Sequence, residues 1–487
     1  MNTHHLLIGW SSRDISTDKP VSIHGQFHLR ISAKVLDPIT VTALAIDNGE
    51  DSVIFLSGDV TGFYGFMVEK IRTRVKQLLP ELPAEKIVLN ATHTHTTGDI
   101  MGMAKAGKDY PCDLERMPTD EYQEFFVASV AGAIIDAWRN RQPGAVAWGY
   151  GYAVAGHSRR TVYFDDTSKR PDSGSCPGMA VNGHAVMYGN PNDPMFSHYE
   201  AGADHFVNLL YTFDTQCKLT GAIINVPCPS QCSENEWALS ADFWHEVRQN
   251  IAQTHGKIFI LPQCAAAGDL SPRILHYRKA QERRFKLKAT TERQEIADRI
   301  TAAFAEVLTW ASKDLRDALP LKHEIRALEL ARRRITPEEY AANVQALAGL
   351  EAEPFATNGT PTERLIHDST LAARRNRSQQ IINRYQEQDA HPRIPMNLHV
   401  VKLGEIAFTF NPFELYMDYM HRIQARSPFE QTFIVQLTGD ESTNNYGYLT
   451  TERGAWGGGY SASLYCNQVS PAGGQELVTA TLELLNQ

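Results

Sequence analysis

Cysteine is sparse in this chain. There are seven in 487 residues, an odd number, and only Cys228 and Cys232 stand close together. That usage argues against a disulfide framework and fits reduced thiols in a reducing compartment. Long apolar runs are also missing, since no stretch approaches the eighteen or so residues that a membrane helix needs. The run Leu6-Leu7-Ile8-Gly9-Trp10 is too short for a signal-peptide core, and no basic residue precedes it. The expectation is a soluble, cytoplasmic protein. Excess positive charge is absent too: 47 Lys and Arg face 56 Asp and Glu, a formal charge of −9. Such a chain is a poor general binder of nucleic acid or anionic membrane. No internal repeat is visible in the sequence.

What is present is ordinary globular material, 43% apolar and 21% charged. Over residues 1–150 strand-like and helix-like stretches alternate. VTALAIDN (41–48) and SVIFLSGDV (52–60) read as buried strands, and GFMVEKIRTRVKQLLPEL (65–82) as an amphipathic helix stopped near Pro80. This is the rhythm of a mixed α/β domain. Residues 163–205 are poor in regular pattern and read as a long Gly/Pro/Asp-rich loop. Strand-like order resumes at FVNLLYTFD and LTGAIINVPCP. Between about 275 and 390 Arg, Lys, Glu, Ala and Leu dominate, which predicts a helix-rich segment with solvated faces.

Four local signals carry possible chemistry. Thr92-His93-Thr94-His95-Thr96 follows a strand, and on an extended chain His93 and His95 would present two imidazoles to one face. Imidazole suits zinc and similar metals, although by itself the motif reads more readily as two polar histidines hydrogen-bonded in a loop. Ala267-Gly268-Asp269-Leu270-Ser271-Pro272 is a tight turn after a strand, where Asp269 can cap or orient a neighbour. Asn411-Pro412-Phe413-Glu414 marks a strand-to-helix junction, with Glu414 expected in the first helical turn. Tyr448 begins a Tyr-Leu-Thr-Thr run and Tyr460 follows twelve residues later; buried tyrosines are usually core residues.

The order GQFHLR, THTHT, HSRRTVY, AGDLSP, NPFEL and YLTT…Y resembles the catalytic domain of the neutral/alkaline ceramidases, zinc amidases that cleave an N-acyl bond. The resemblance runs over nearly the whole chain and is weakest at 275–390. It implies an α/β fold, a mixed α/β catalytic domain of neutral-ceramidase type with a helical insertion, spanning 1–487 as a single unit. It also implies that the usual final immunoglobulin-like domain is absent. Carried over by position, His93, Glu414 and Tyr448 match zinc ligands, and His95 matches a neighbouring active-site histidine. Tyr460 matches a second tyrosine beside the substrate, and Arg159, or less readily Arg160, a substrate-contacting arginine.

One departure from the resemblance matters. Where the family places a second histidine ligand, this chain reads Asn225-Val226-Pro227-Cys228-Pro229-Ser230-Gln231-Cys232. Three readings stay open: Cys228 or Cys232 supplies a thiolate ligand, a histidine such as His205 or His245 fills the gap, or the metal site is weakened or lost. The EEYxxQxYEG segment of the family is also altered here, to ERGAWGGGYSA. A changed pocket wall implies a changed substrate, and no amphipathic basic stretch suits membrane docking. The expected activity is therefore zinc-assisted hydrolysis of an amide in a small polar or sugar-derived molecule rather than ceramide. His95 would be a proton shuttle, Arg159 an anchor for a substrate oxygen and Asp269 an orienting residue. Two other readings of the same pocket are a glycoside hydrolase or lyase acting on an acidic sugar, and a ligand-binding protein without catalysis.

Overall fold

The computed structural model describes residues 5–102, 107–171, 183–442 and 447–487. Its centre is an eight-stranded sheet: β1 (Leu7–Asp14), β2 (Thr40–Asp47), β3 (Ser52–Gly58), β4 (Ile87–Ala91), β5 (Gln142–Tyr152), β6 (Phe206–Asp214), β7 (Leu219–Val226) and β8 (Phe259–Cys264). The spatial order is β8-β7-β6-β5-β1-β2-β3-β4. Only the outermost pairs, β3/β4 and β7/β8, are parallel. Each needs a crossover, and a helix supplies it: α1 (Gly65–Leu78) in the first case and α3 (Phe243–His255) in the second. The sheet is thus one β-β-β-α-β unit used twice about the central β1/β5 pair, a structural repeat that leaves no trace in the sequence.

Period-two patterning explains how both faces are buried. In β2, Val41, Ala43 and Ala45 belong to one core with Ile54, Leu56 and the helices α1 and α2 (Thr119–Arg139). Leu44 and Ile46 belong to another. On the second half of the sheet, α3 and α5 (Glu292–Ala311) cover Leu209, Tyr211, Ala222 and Ile224. In α2, Phe126, Val130, Ala133, Ile134 and Ala137 recur at helical spacing, which makes the buried stripe.

The inner face packs on a second sheet of β9 (Leu321–Ala331), β10 (Arg393–Leu403), β11 (Ile406–Phe410) and β12 (Gln431–Val435). Phe55 meets Phe408 and Phe410 across this interface, with ring centres 5.0 and 6.0 Å apart. Helices Met417–Gln424 and Pro471–Leu485 pack on its far side, with Tyr419, Met420, Leu477 and Val478 in that core. The result is four layers: helix, sheet, sheet, helix. The first sheet curls until its edges approach, and Asn90 Nδ2 on β4 donates to Pro262 O on β8 at 3.1 Å. The loops after β4 and β7 therefore touch, with Ser230 N donating to Thr92 O at 3.3 Å.

The 275–390 stretch is helix-rich but not all helix. It holds α4 (Arg278–Lys288), α5, α6 (Pro337–Ala352) and α7 (Pro361–Glu387), and between them β9 forms an edge of the second sheet. The charged, alternating sequence of β9 (Leu-Lys-His-Glu-Ile-Arg) buries one side and solvates the other, a strand pattern hidden among helix-forming residues. Thr336 and Thr360 open α6 and α7 with reciprocal capping boxes to Glu339 and Glu363, each followed by proline at the first position. The 163–205 stretch is likewise more ordered than its composition predicts. Strands Arg160–Tyr163, Ala185–Met187 and Phe196–Tyr199 form a small sheet there, and residues 172–182 lie outside the described residues. Among the described residues no helix is long and apolar enough to cross a membrane.

Candidate active site

The loops after β3, β4, β7 and β8, the amino-terminal segment around Gly25, and Pro412, Glu414, Leu437, Gly447 and Tyr448 line a cavity of about 650 Å³. His93 lies just past the end of β4 in a left-handed conformation, φ +64°. The extended-chain expectation for His93 and His95 therefore fails, yet the two rings still meet, with their Nε2 atoms 3.3 Å apart. The kink aims His93 Nδ1 at the Thr61 carbonyl, 2.7 Å away. A carbonyl only accepts, so the ring proton sits on Nδ1 and the Nε2 lone pair faces the cavity. There it lies 3.4 Å from Glu414 Oε2.

Glu414 is not in a helical turn. It forms a two-residue strand with Leu415, paired in parallel with Tyr448–Leu449, so that Glu414 and Tyr448 are direct cross-strand partners. The helix starts later, at Met417. Gln436 Oε1 holds the bend by accepting from Leu415 N at 2.9 Å and Ala267 N at 3.0 Å. Burial alone would raise the Glu414 carboxyl; His93, the Arg159 guanidinium and the Tyr448 hydroxyl hold it below the usual range instead. Burial pushes the Tyr448 phenol well up, against the pull of Arg159, so it stays protonated at neutral pH.

Arg159 is 1% exposed. Its Nη2 donates to Gly268 O at 2.9 Å and to Tyr448 Oη at 3.2 Å, and lies 3.6 Å from Glu414 Oε2. Burial opposes its charge, but Tyr448, Tyr188 and Glu414 more than offset that, so it remains a cation. Arg160 points elsewhere. It makes a bidentate pair with Glu200, at 2.9 and 2.6 Å, and donates to Gly458 O at 2.7 Å, which pins the glycine loop from below. Of the two arginines, Arg159 faces the cavity.

His95 sits deeper than a free shuttle would. Gln231 Nε2 donates to its Nε2 at 2.9 Å, and its Nδ1 faces Glu234 Oε2 at 3.4 Å. Burial drives the imidazole down to about 4, outweighing the raising effect of Glu234. It is a neutral hydrogen-bonding ring at pH 7, not a group poised near 6.5. Arg30, from the GQFHLR segment, locks this corner by donating to His95 O at 2.5 Å and Glu234 O at 2.7 Å.

Cys228 does not reach the cavity. It is buried in the apolar core with Phe243, Trp244 and Val247 of α3, and burial pushes its thiol far up, the wrong direction for a thiolate ligand. Cys232 is raised likewise by burial and Asp242. Neither His205 nor His245 lines the cavity. The segment instead contributes Gln231 and Glu234, which residue type alone did not flag. Asp269 also lies behind the wall, where its Oδ1 accepts from Met417 N at 3.0 Å and fastens the end of the Glu414 strand. Tyr460 lines the cavity beside Tyr448, ring centres 6.3 Å apart.

Among the described residues no three His, Cys, Asp or Glu side chains gather as a metal cluster. What converges is one imidazole, one carboxylate and one phenol. Two ligands each about 2.1 Å from a shared ion at a tetrahedral angle lie about 3.4 Å apart, which is the separation of His93 Nε2 and Glu414 Oε2. The pair meets directly in this structure, and its spacing is also one that two ligands of a shared cation adopt. An imidazole, a carboxylate and a phenol are donor types that could hold a zinc ion, and these are the residues that would do so here.

With this geometry in hand, comparison with known proteins is informative. Neither a protein-family profile nor a curated protein sequence matches the chain. Solved structures do match, ceramidases among them. Neutral ceramidase from Pseudomonas aeruginosa superposes with a TM-score of 0.64 at 16% identity, over 100% of this chain and 75% of that one. A ceramidase complexed with C2 gives 0.63 at 15%, over 99% and 75%. The architecture is an α/β four-layer sandwich. More narrowly, it is the neutral-ceramidase fold, as the order of motifs in the sequence led one to expect.

Proposed function

We propose that the protein is a zinc-dependent hydrolase that cleaves an amide, N-acyl, bond in a polar small molecule. The observation that carries this reading is the bare Nε2 of His93 set 3.4 Å from Glu414 Oε2, with Tyr448 delivered beside that carboxylate by strand pairing. His93, Glu414 and Tyr448 would hold the metal. A zinc ion supplies Lewis-acid polarisation of the scissile carbonyl and lowers the pKa of a bound water towards 7.

The chain's own groups do the rest. Arg159 keeps its charge though buried and presents donors to an oxygen that gains negative charge as the carbonyl is attacked. Its other nitrogen, Nη1, is held only by long contacts to Tyr188 Oη at 3.3 Å and Gln231 Oε1 at 3.5 Å, so it is available to substrate. His95, neutral and oriented by Gln231 and Glu234, accepts or relays a hydrogen bond. In the reaction a water oxygen joins the acyl carbon, the C–N bond breaks, and the departing nitrogen takes up a proton. The products are an acid and an amine.

The test is elemental analysis of purified wild type, His93→Ala and Glu414→Gln, alongside an amide panel with and without chelator. Near-stoichiometric zinc in wild type, lost from both variants together with turnover, is the expected result. A zinc-free wild type that turns over amides in excess chelator overturns the metal assignment.

A further inference from the structure

A second cavity, of about 280 Å³, lies apart from the first and shares none of its lining residues. Two aromatic side chains stand at its wall: Phe164, 70% exposed, and Trp456, 69% exposed. Among the large apolar side chains of the described residues, only Tyr277 is more exposed. Large rings are normally turned inward, so two of them at one depression mark it as a surface built for contact. Trp456 belongs to the ERGAWGGGYSA segment, where the chain departs from the ceramidase resemblance, and it inherits no role from that resemblance.

The indole is held still despite its exposure. The buried Arg160 guanidinium donates to Gly454 O at 3.3 Å and to Gly458 O at 2.7 Å, one on each side of Trp456 in the chain. A Cβ on Gly457 would lie 2.9 Å from Ala185 Cβ and 3.2 Å from Glu200 Oε2, so glycine lets the loop rest directly on the Arg160–Glu200 pair. His184 stacks on the indole, with ring centres 4.9 Å apart and planes within 8°. It covers one face and leaves the other. A ring fixed in this way loses little freedom when a ligand arrives.

Beside the rings the wall is polar. Ser197 Oγ and His198 Nδ1 bond each other at 2.9 Å, which leaves His198 Nε2 for another partner. Arg453 is paired with Asp418 at 2.8 Å, with its side chain still 48% exposed. All three line this cavity. Flat apolar surface therefore meets a hydrogen-bonding edge. A pyranose ring has the matching chemistry, because its faces are C–H surface and its hydroxyls, each a donor and an acceptor, radiate from the rim. A purely apolar occupant would strip water from Arg453 and His198 without replacing those bonds. The volume suits a single ring rather than a chain of them. We propose that this cavity is a carbohydrate site taking one pyranose unit, stacked on Trp456 with its hydroxyls at Ser197, His198 and Arg453. Tyr460, just past the same glycine loop, lines the main cavity, so the two sites share a loop but no wall. The proposal stands whether or not the main cavity hydrolyses an amide.

The probes are the methyl glycosides of glucose, galactose, mannose and N-acetylglucosamine, with adenosine as a planar competitor. Each is titrated into wild type while the isotope-labelled indole N–H signals are followed by NMR; Trp456→Phe identifies the Trp456 signal among those of the seven tryptophans. At least one glycoside is expected to move that signal with millimolar affinity, the range open to a single small ring. Trp456→Ala weakens this binding about 10-fold or more, Phe164→Ala about 3-fold or more, and Trp456→Phe keeps most of it. Tyr277→Ala, which removes the most exposed ring from outside the cavity, leaves the affinity unchanged and controls for unspecific stacking. If no glycoside moves the Trp456 signal of wild type, the proposal is overturned, and that result needs no variant to fold. Glycoside binding that survives Trp456→Ala places the sugar elsewhere and overturns it as well. Adenosine binding more tightly than every glycoside shows a slot for a planar base instead of a sugar.

Discussion

Gly268→Ala is the sharpest single test of how the site is built. A Cβ at Gly268 would lie 2.4 Å from Glu414 O, 2.8 Å from Glu414 C and 3.0 Å from Leu415 C. All three are main-chain atoms, which cannot swing aside as the end of a flexible side chain can. Restoring a tolerable contact of about 3.0–3.4 Å requires roughly 0.6–1 Å of movement between the turn after β8 and the Glu414 strand. Two other bonds cross the same junction: Gly268 N donates to Leu415 O at 2.8 Å, and Arg159 Nη2 to Gly268 O at 2.9 Å. Overpacking of this kind costs about 1–3 kcal/mol. The shift opens the spacing between Glu414 and His93, and if the proposed zinc is held there, disturbed support around a ligand lowers its affinity about 10- to 100-fold. Competition against a chromophoric chelator measures the zinc affinity, and thermal unfolding measures the stability. Gly202→Ala, where nothing lies within 4 Å of the new methyl, is the control. If Gly268→Ala holds zinc as tightly as wild type and unfolds at the same temperature, the close approach does not position Glu414 and the account is wrong.

Glu200→Gln breaks a fully buried pair and leaves the Arg160 guanidinium uncompensated, so a loss of about 3–5 kcal/mol is expected in a denaturant titration. Asp269 titrates in the folded state at about 6 because it is buried, against 3.8 for an ordinary aspartate. A raised folded pKa means that its contribution to stability is complete below about 4 and is lost as pH rises through 6. Asp269→Asn, which still accepts from Met417 N, should flatten that part of the urea-midpoint profile; an unchanged slope between pH 4 and 7 would show that the carboxyl titrates normally. Gly349 sits on the exposed side of α6 with open space around it, so Gly349→Ala should stabilise by about 0.5–1 kcal/mol, and a neutral or harmful effect in thermal unfolding would contradict this.

Much of the scaffold was legible because burial leaves a period in the sequence. The short apolar run of 41–46, broken only by Thr42 and bounded by polar residues, and the 3.6-residue stripe of 119–139 each point to their observed element. Residues whose geometry is set by distant partners were harder to read. Glu414 looked helical because Met417 onward is helical, but its strand exists only through a register with Tyr448 that no local pattern announces. His93 adopts a left-handed turn that β-strand logic cannot anticipate, held by His93 N donating to Val60 O and Nδ1 bonding Thr61 O. Cys228 attracted notice for its chemistry, yet its side chain completes an apolar core, while Gln231 three residues on meets His95. Gly25 was equally silent, although its φ of +119° and a notional Cβ only 2.6 Å from His95 Cβ leave room for nothing larger.

The parallel pairing of 414–415 with 448–449 has a consequence for how such a pocket ages. Neighbouring strands lie about 4.8 Å apart whatever side chains they carry. The separation of the two backbones that carry carboxylate and phenol is therefore fixed by peptide geometry, and the side chains set the rest. Nearby wall residues are free to drift towards new ligands without parting the two. A slip of one residue in register, by contrast, would turn the slipped strand's group to the other face and part the two, so the register itself is what holds this half of the centre together.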